Sequence, residues 1–257
     1  MLVKINFEKY SSIKIGGEAE VVEIRDRSFE PRGFFVIGAA CNLLVSPNPP
    51  PLAILSREFD YLRYDGELLV VGGACKSGKI VSLCRSRDLG GMEFLRGLPG
   101  SLGGLIAMNA GLKGREIFDR LKWADFGFGR VLADEIARGY RFAKLPGVVF
   151  EAAFELDRGY DRGLEAEFDA VRSRHPKEPS AGSCFKNPPN GFAGRLIEAA
   201  GLKGFAIGGA AFSEIHANFL VNKGGATFDD AISLIELARE RVLSEFGITL
   251  ELEIKVL

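Results

Sequence analysis

The clearest pattern in the chain lies near its end. Phe228, Ala231, Ile232, Ile235, Ala238, Val242 and Phe246 recur at the three- and four-residue spacing of one helix face. Thr227 suits the N-cap, Asp229 and Asp230 the first turn, and Gly247 the stop. From residue 248 to 257 the period changes to two. Ile248, Leu250, Leu252, Ile254 and Val256 alternate with Thr249, Glu251, Glu253 and Lys255, which predicts a half-buried strand with both glutamates on its polar face. Shorter apolar runs predict strands at 21–24 and 34–37, and a hairpin in which 61–64 and 68–71 flank Asp65-Gly66. Residues 85–96 read as the end of a helix and 105–108 as a short buried strand. Pro47-Asn48-Pro49-Pro50-Pro51 reads as a rigid connector. The polar stretch 157–189, punctuated by Gly159, Gly163, Pro176, Pro179, Pro188 and Pro189, places a domain boundary near residue 155. No internal repeat or low-complexity tract occurs.

Between residues 97 and 104 the chain reads Gly-Leu-Pro-Gly-Ser-Leu-Gly-Gly. Glycines this dense in an otherwise apolar segment mark backbone that approaches something a side chain would block, and successive amides there can converge on an anion. A tight turn between core elements is the bland alternative; five glycines and a proline within fifteen residues favour ligand contact.

Composition removes several classes. A chain of 257 residues exceeds one ordinary core and predicts two or three lobes. With 33 basic and 34 acidic residues the net charge is −1, so no global field favours nucleic acid or an anionic membrane. No apolar run approaches the roughly 20 residues of a membrane helix, and the first residues lack a signal-peptide layout. The expectation is a cytoplasmic protein. Cys41, Cys75, Cys84 and Cys184 include no Cys-x-x-Cys pair and read as small buried hydrophobes. His175 and His216 are the only histidines, so no metal site is expected.

Three segments offer chemistry, each with a plainer reading. Residues 73–79 match Gly-x-x-x-x-Gly-Lys, but Ile80 stands where a phosphate loop needs a hydroxyl for magnesium, so a nucleotide hydrolase is a weak alternative. Ser183, within 180–188, lacks the Gly-x-Ser-x-Gly elbow of an acyl nucleophile. It suits a proton donor to a carbanion, with Lys186 near enough in sequence to ease proton loss, or else a plain solvent-facing turn. Tyr140-Arg141 offers a fork for a carboxylate or phosphate beside an aromatic face, or else an ordinary surface pair. Glu253 would ordinarily be solvated, like Glu251.

Taken in order, these pieces resemble one family. Residues 90–104, Met108-Asn109-Ala110-Gly111, Tyr140-Arg141, residues 179–188, Ala199-Ala200-Gly201-Leu202-Lys203-Gly204, Ser213-Glu214-Ile215-His216-Ala217-Asn218-Phe219 and Leu252-Glu253-Ile254 resemble the UDP-N-acetylenolpyruvoylglucosamine reductases, flavoenzymes of peptidoglycan precursor synthesis. The motifs span nearly the whole chain, and their order makes the match specific. Two departures stand out. The family's first flavin loop, Gly-x-Gly-Ser-Asn-Leu-Leu, is here Gly38-Ala39-Ala40-Cys41-Asn42-Leu43-Leu44, and Phe142-Ala143-Lys144 follows Tyr140-Arg141 where Ser and Phe are usual. The length resembles the short subtype without the extra substrate-covering insertion.

The resemblance implies an α+β fold. A two-lobed FAD-binding region of the vanillyl-alcohol-oxidase-like type would occupy 1–50 and 51–155. A C-terminal α+β substrate-binding domain would occupy 156–257, its last strand able to return to the flavin site. It implies bound FAD, NADPH as co-substrate, a small sugar-nucleotide substrate and a monomer. Flavin N5 would deliver hydride to the methylene carbon of the enol ether. Carried over by position, Arg141 and Glu253 would face the substrate carboxylate as the enolate forms, Glu253 being protonated, and Ser183 would donate the proton. Cofactor contacts fall on Gly38, Ala39, Ala40, Cys41, Asn42, Leu43, Gly97, Pro99, Gly100, Ser101, Gly103, Gly104, Asn109, Ala110 and Gly111; substrate contacts fall on Tyr140, Lys186, Asn187, His216 and Asn218. The competing class is another FAD-dependent oxidase or dehydrogenase on the same scaffold.

Overall fold

The computed structural model describes residues 1–189 and 191–257. The chain divides into two units, the first of Met1–Val3, Val21–Ala39 and Pro51–Ser173, the second of Lys4–Glu20, Ala40–Pro50 and Arg174–Leu257. Helices and strands mix in both, so the class is α+β as expected. The division differs from the three-lobe reading. Residues 1–50 are shared between the units, and the later break follows Ser173, beyond residue 155. The stretch after 155 hides the helix Arg162–Arg172, capped by Asp161, whose Phe168 is fully buried in the first unit's core. Only Leu164 and Phe168 face that core, too few apolar residues to stand out among the glycines and charges around them.

In the first unit the antiparallel sheet runs Arg130–Leu132, Leu121–Asp125, Glu151–Glu155, Leu68–Gly72, Leu62–Tyr64. The hairpin around Asp65-Gly66 is its edge, with Leu62 opposite Val71 and Tyr64 opposite Leu69. Leu69, Val71, Ala152 and Phe154 point into a core closed by Ile80 and Cys84 of the helix Ser77–Arg87 and by Leu102 and Ile106 of the helix Leu102–Ala107. That last helix stands where residues 105–108 predicted a strand. Leu102, Leu105 and Ile106 are buried at helical spacing, but an apolar run this short carries no resolvable period. Beside this sheet Leu52–Leu55 lies parallel between residues 21–24 and Phe35–Ile37.

In the second unit Ser180–Ser183, Phe219–Asn222, Ala210–Phe212 and Ala206–Ile207 form an antiparallel sheet in that order. The helix Phe228–Phe246 buries Ala231, Leu234, Ile235, Ala238 and Val242. Thr227 and Asp230 form a capping box at its start and Gly247 ends it in the left-handed region, as the spacing predicts. The following segment is not the continuous strand expected. Lys255–Val256 pairs with Leu43–Leu44 and Leu252 bridges to Phe185, while Glu253 and Ile254 give their amides to Cys184 O. Leu250 and Ile254 are buried and Glu251 is exposed, so alternation read much of the burial and missed where the backbone bonds go.

A charged cluster secures the first unit. Glu151, 3% exposed, accepts hydrogen bonds from Tyr61 Oη and Arg63, and Arg27 bridges it and Asp125. Burial pushes the Glu151 carboxyl up, but the bonds from Tyr61 and Arg27 and the charges of Arg27 and Arg63 outweigh it and hold the group below its usual range. Glu151→Gln should therefore cost about 3 kcal/mol of stability, read as a lower urea midpoint at unchanged slope. The carboxylate's contribution is complete above an unfolded pKa of about 4.3 and disappears as pH falls through the lower folded value. A wild-type acid profile that matches the variant's would remove Glu151 from this role.

Candidate active site

The glycine-rich loop of the first unit is fixed by its backbone. Leu102 N donates to Cys75 O (2.8 Å), Gly103 N to Gly73 O (2.9 Å) and Ser77 N to Gly100 O (3.1 Å). Gly100 has φ +152°, a conformation that side chains rarely adopt. A Cβ on Gly38 would stand 2.2 Å from Ser101 Oγ, so these two expected cofactor residues meet. The turn beneath the loop is no phosphate cradle. Gly73, Ala74, Cys75 and Ser77 give their amides to Phe150, Phe59, Gly72 and Gly100, Lys79 pairs with Asp60 at 2.6 Å, and Ile80 is fully buried. The hydrolase alternative loses its donors.

Beyond the loop, Ala110 N returns to Leu105 O. Asn109, 1% exposed and at φ +39°, donates from Nδ2 to Glu116 Oε2 (2.6 Å) and Gly139 O (3.2 Å). Its Oδ1 is buried without a hydrogen-bond partner among the described residues. Gly139 begins the tight turn that carries Tyr140 and Arg141, with Arg141 at φ +63° and its guanidinium 5.0 Å from the centre of the Tyr140 ring. The structure thus joins Asn109 to the Tyr140–Arg141 turn. It adds Arg172, which sequence reasoning missed: its stem lies against Gly97 and its Nε is buried without a partner. An arginine amid a polar stretch carries no sequence signal of that burial.

In the second unit Ser183 is half-buried and pairs across the sheet with Phe219. Asn218 secures the segment after it. Its Oδ1 accepts from Phe185 N and its Nδ2 donates to Phe185 O. Both ends of that amide are engaged and the residue is 3% exposed, so the Asn218 side chain fastens the backbone of Phe185, two residues after Ser183. Asn187 Oδ1 accepts from Ala193 N at the start of the helix Ala193–Ala199. Lys186 is ion-paired with Glu251, whose side chain is 73% exposed. Glu253 is half-buried, and Asn42 Nδ2 donates to its carbonyl at 3.0 Å. The expected cofactor residue Asn42 therefore anchors the segment bearing Glu253, and the two glutamates differ although they share a strand phase.

The two histidines, remote in sequence, lie together here. Their ring centres are 6.4 Å apart, and each lies about 5 Å from the Phe219 ring. His216 Nδ1 accepts from Asn218 N, and burial pushes its pKa down. Cys75 and Cys84 are buried, with thiols pushed up to about 12, first by burial. Cys184 is buried too, but Cys41 is half-buried, contrary to expectation. It follows Ala40, which is 3% exposed and left-handed at φ +49°. Among the described residues no group of three His, Cys, Asp or Glu side chains is placed to hold a metal, and no helix is long and apolar enough to cross a membrane.

The fold is that of a known class of mixed α+β reductases. The structure from Thermus caldophilus described as UDP-N-acetylenolpyruvylglucosamine reductase superposes with a TM-score of 0.87 and 33% identity, covering 100% of this chain and 98% of that one. A relative from Helicobacter hepaticus named UDP-N-acetylenolpyruvoylglucosamine reductase is 50% identical over 98% of both chains, and one of the same name from Campylobacter jejuni is 46% identical over 98% of this chain and 99% of its own. The family model for the C-terminal domain of UDP-N-acetylenolpyruvoylglucosamine reductase matches residues 174–257, starting where the later part of the second unit starts. The chain belongs to the UDP-N-acetylenolpyruvoylglucosamine reductase family.

Ala40 occupies a conformation that costs a non-glycine residue about 1–2 kcal/mol, against about 0.5–1 kcal/mol of extra chain entropy for glycine. Ala40→Gly should leave stability unchanged or raise it by up to about 1 kcal/mol, whereas Ala40→Val should lower it by more than about 2 kcal/mol. Urea midpoints of the two variants measure this. Similar losses from both would show that Ala40 is held by packing alone.

Proposed function

We propose that the chain reduces the enolpyruvyl ether of UDP-N-acetylglucosamine to UDP-N-acetylmuramate, with bound FAD and with NADPH as co-substrate. The observation that carries this reading is the 50% identity, over 98% of both chains, to a relative named for that reductase. The first unit fits a bound dinucleotide. Asn109 Oδ1 is a buried acceptor without a donor among the described residues, an arrangement that costs free energy unless a ligand supplies one. The amides of Leu98, Leu102 and Gly103 are spent inside the fold, so contacts to a pyrophosphate fall to Gly100, Ser101 and Gly104 of the same loop. Gly38, Ala39, Ala40, Cys41 and Leu43 form the second segment assigned to FAD, and Asn42 holds it to the C-terminal segment through Glu253.

When bound, FAD supplies hydride transfer from NADPH to the methylene carbon of the enol ether. As that transfer proceeds, negative charge gathers on the substrate carboxylate, and the Arg141 guanidinium stabilises it with a fixed fork of donors. Glu253 serves the same oxygens in its protonated form, donating a hydrogen bond. Ser183 Oγ gives its proton to the neighbouring carbon. Tyr140, 47% exposed, and His216 remain as substrate contacts. Lys186 and Asn187, the other expected contacts, also support the Ser183 segment through Glu251 and Ala193.

The purified protein should be yellow and should oxidise many equivalents of NADPH anaerobically only when the enolpyruvyl sugar nucleotide is present; a colourless, inactive protein would refute the reading. Ser183→Ala should leave flavin reduction by NADPH intact and slow reoxidation by the substrate about 10²–10⁴-fold, which stopped-flow absorbance follows separately. Wild-type reoxidation would remove the serine from the mechanism. At saturating substrate Glu253→Gln should slow substrate reduction at least about tenfold, equivalent to about 1.4 kcal/mol. Glu251→Gln, which loses only an exposed ion pair with Lys186, should change the rate far less. Equal effects would return Glu253 to a surface role.

A further inference from the structure

Arg172 is the last residue of the helix Arg162–Arg172, and its surroundings are unusual for a cation. The aliphatic stem packs on the glycine-rich loop, with Cγ 3.4 Å from where a Gly97 Cβ would be. Nε is buried and has no acceptor among the described residues. The acidic residues on the same helix are committed elsewhere: Asp169, one turn back, pairs with Arg96 at 3.1 Å, and Glu165 pairs with Arg85 and Arg96. Burial pushes the Arg172 pKa down to about 10, and the other charge acting on it is a second cation, Arg141. The group stays ionised at neutral pH. A half-buried cation whose Nε has no acceptor, which feels a second cation and which pairs with no carboxylate among the described residues, is costly in the protein alone. Sites built to take an anion bear that cost, because the anion repays it on binding.

We propose that Arg172 is the second guanidinium of an oxyanion site shared with Arg141 and floored by the Gly97 turn, and that a carboxylate or phosphate of a bound nucleotide supplies the missing negative charge. Two planar forks can grip the several oxygens of one such group. The identity of the nucleotide rests on the function proposed above; the oxyanion chemistry does not.

The test uses the flavin-loaded enzyme and the variants Arg172→Met, which keeps the stem, and Arg172→Lys, which keeps the charge and loses the fork. If Arg172→Met keeps its flavin, it should melt no lower than wild type without added ligand, because it removes a charge with no acceptor among the described residues. In that case millimolar inorganic pyrophosphate should raise the wild-type melting temperature and leave that of Arg172→Met unchanged, a readout that needs no turnover. In stopped flow the affected source identifies itself. At least a tenfold loss confined to reoxidation by the sugar nucleotide assigns its carboxylate, a loss confined to reduction by NADPH assigns the nicotinamide dinucleotide's phosphates, and loss of flavin from a folded chain assigns the flavin pyrophosphate. Arg172→Lys should recover part of whichever is lost. Equal pyrophosphate shifts in wild type and Arg172→Met, with both half-reactions and flavin content unchanged, would overturn the proposal and leave Arg172 as packing for Gly97. Should Arg172→Met not fold, the same comparison with Arg172→Lys decides, wild-type values again overturning it.

Discussion

The first unit depends on the close backbone contact between its glycine-rich loop and the turn beneath it. Hydrogen bonds from Leu102 N, Gly103 N and Ser77 N lace residues 100–103 to residues 73–77. A Cβ on Gly73 would stand 1.9 Å from Val149 O, a backbone atom that cannot swing aside. This lacing sets where the short helix Leu102–Ala107 begins, hence where Asn109 falls after it, hence the Gly139 carbonyl to which Asn109 is bonded. The placement of Arg141 follows from the chain of contacts that starts at these amides.

The second unit solves the same problem with side-chain amides. Asn218 fastens both backbone groups of Phe185, Asn42 holds the carbonyl of Glu253, and Asn222 Nδ2 binds the carbonyls of Ile13 and Lys14. An asparagine offers a donor and an acceptor on one planar group, so it can satisfy irregular backbone where no strand ladder reaches. The segments carrying Ser183 and Glu253 are irregular in this way. The amides of Glu253 and Ile254 go to one carbonyl, Cys184 O, in place of a regular ladder.

The terminal helix was legible in the sequence to the residue, because cap, apolar stripe and stop all point to one answer. Short apolar runs made the strands at 21–24 and 34–37 and the Asp65-Gly66 hairpin legible, but not Leu52–Leu55, the strand that pairs between the first two. Residues 105–108 were not legible, since a short apolar run fits helix and strand alike, and neither was the strand-like alternation at 248–257, whose backbone partners come from distant sequence. Arg141, Ser183 and Glu253 came forward as the candidate site through motif order alone, by resemblance to the family. The structural duties of Asn218, Asn187 and Asn42 were not legible, because an asparagine that holds backbone and one that holds a ligand look alike in sequence. Arg172 lay further out of reach: what marks it is a missing partner, and only coordinates reveal that.

Local costs gather around the residues to which chemistry is assigned. Arg141 and Asn109 hold left-handed backbone without being glycine, and so does Ala40 in the other unit. Asn109 Oδ1 and Arg172 Nε are buried without partners. Two other parts of the fold carry no such cost: Glu151 has three donors, and the long helix has its caps and its buried stripe. A chain selected for stability alone would replace Arg172 with an apolar side chain of similar length and Ala40 with glycine. Neither change needs a new backbone. Left-handed backbone also occurs at Lys14, Asp88 and Lys113, and unpaired buried polar atoms at Ser12 and Asp60; what sets the glycine-rich loop and the Arg141 turn apart is that strain and unmet polarity coincide there with dense glycines, the combination a bound charged ligand would complete.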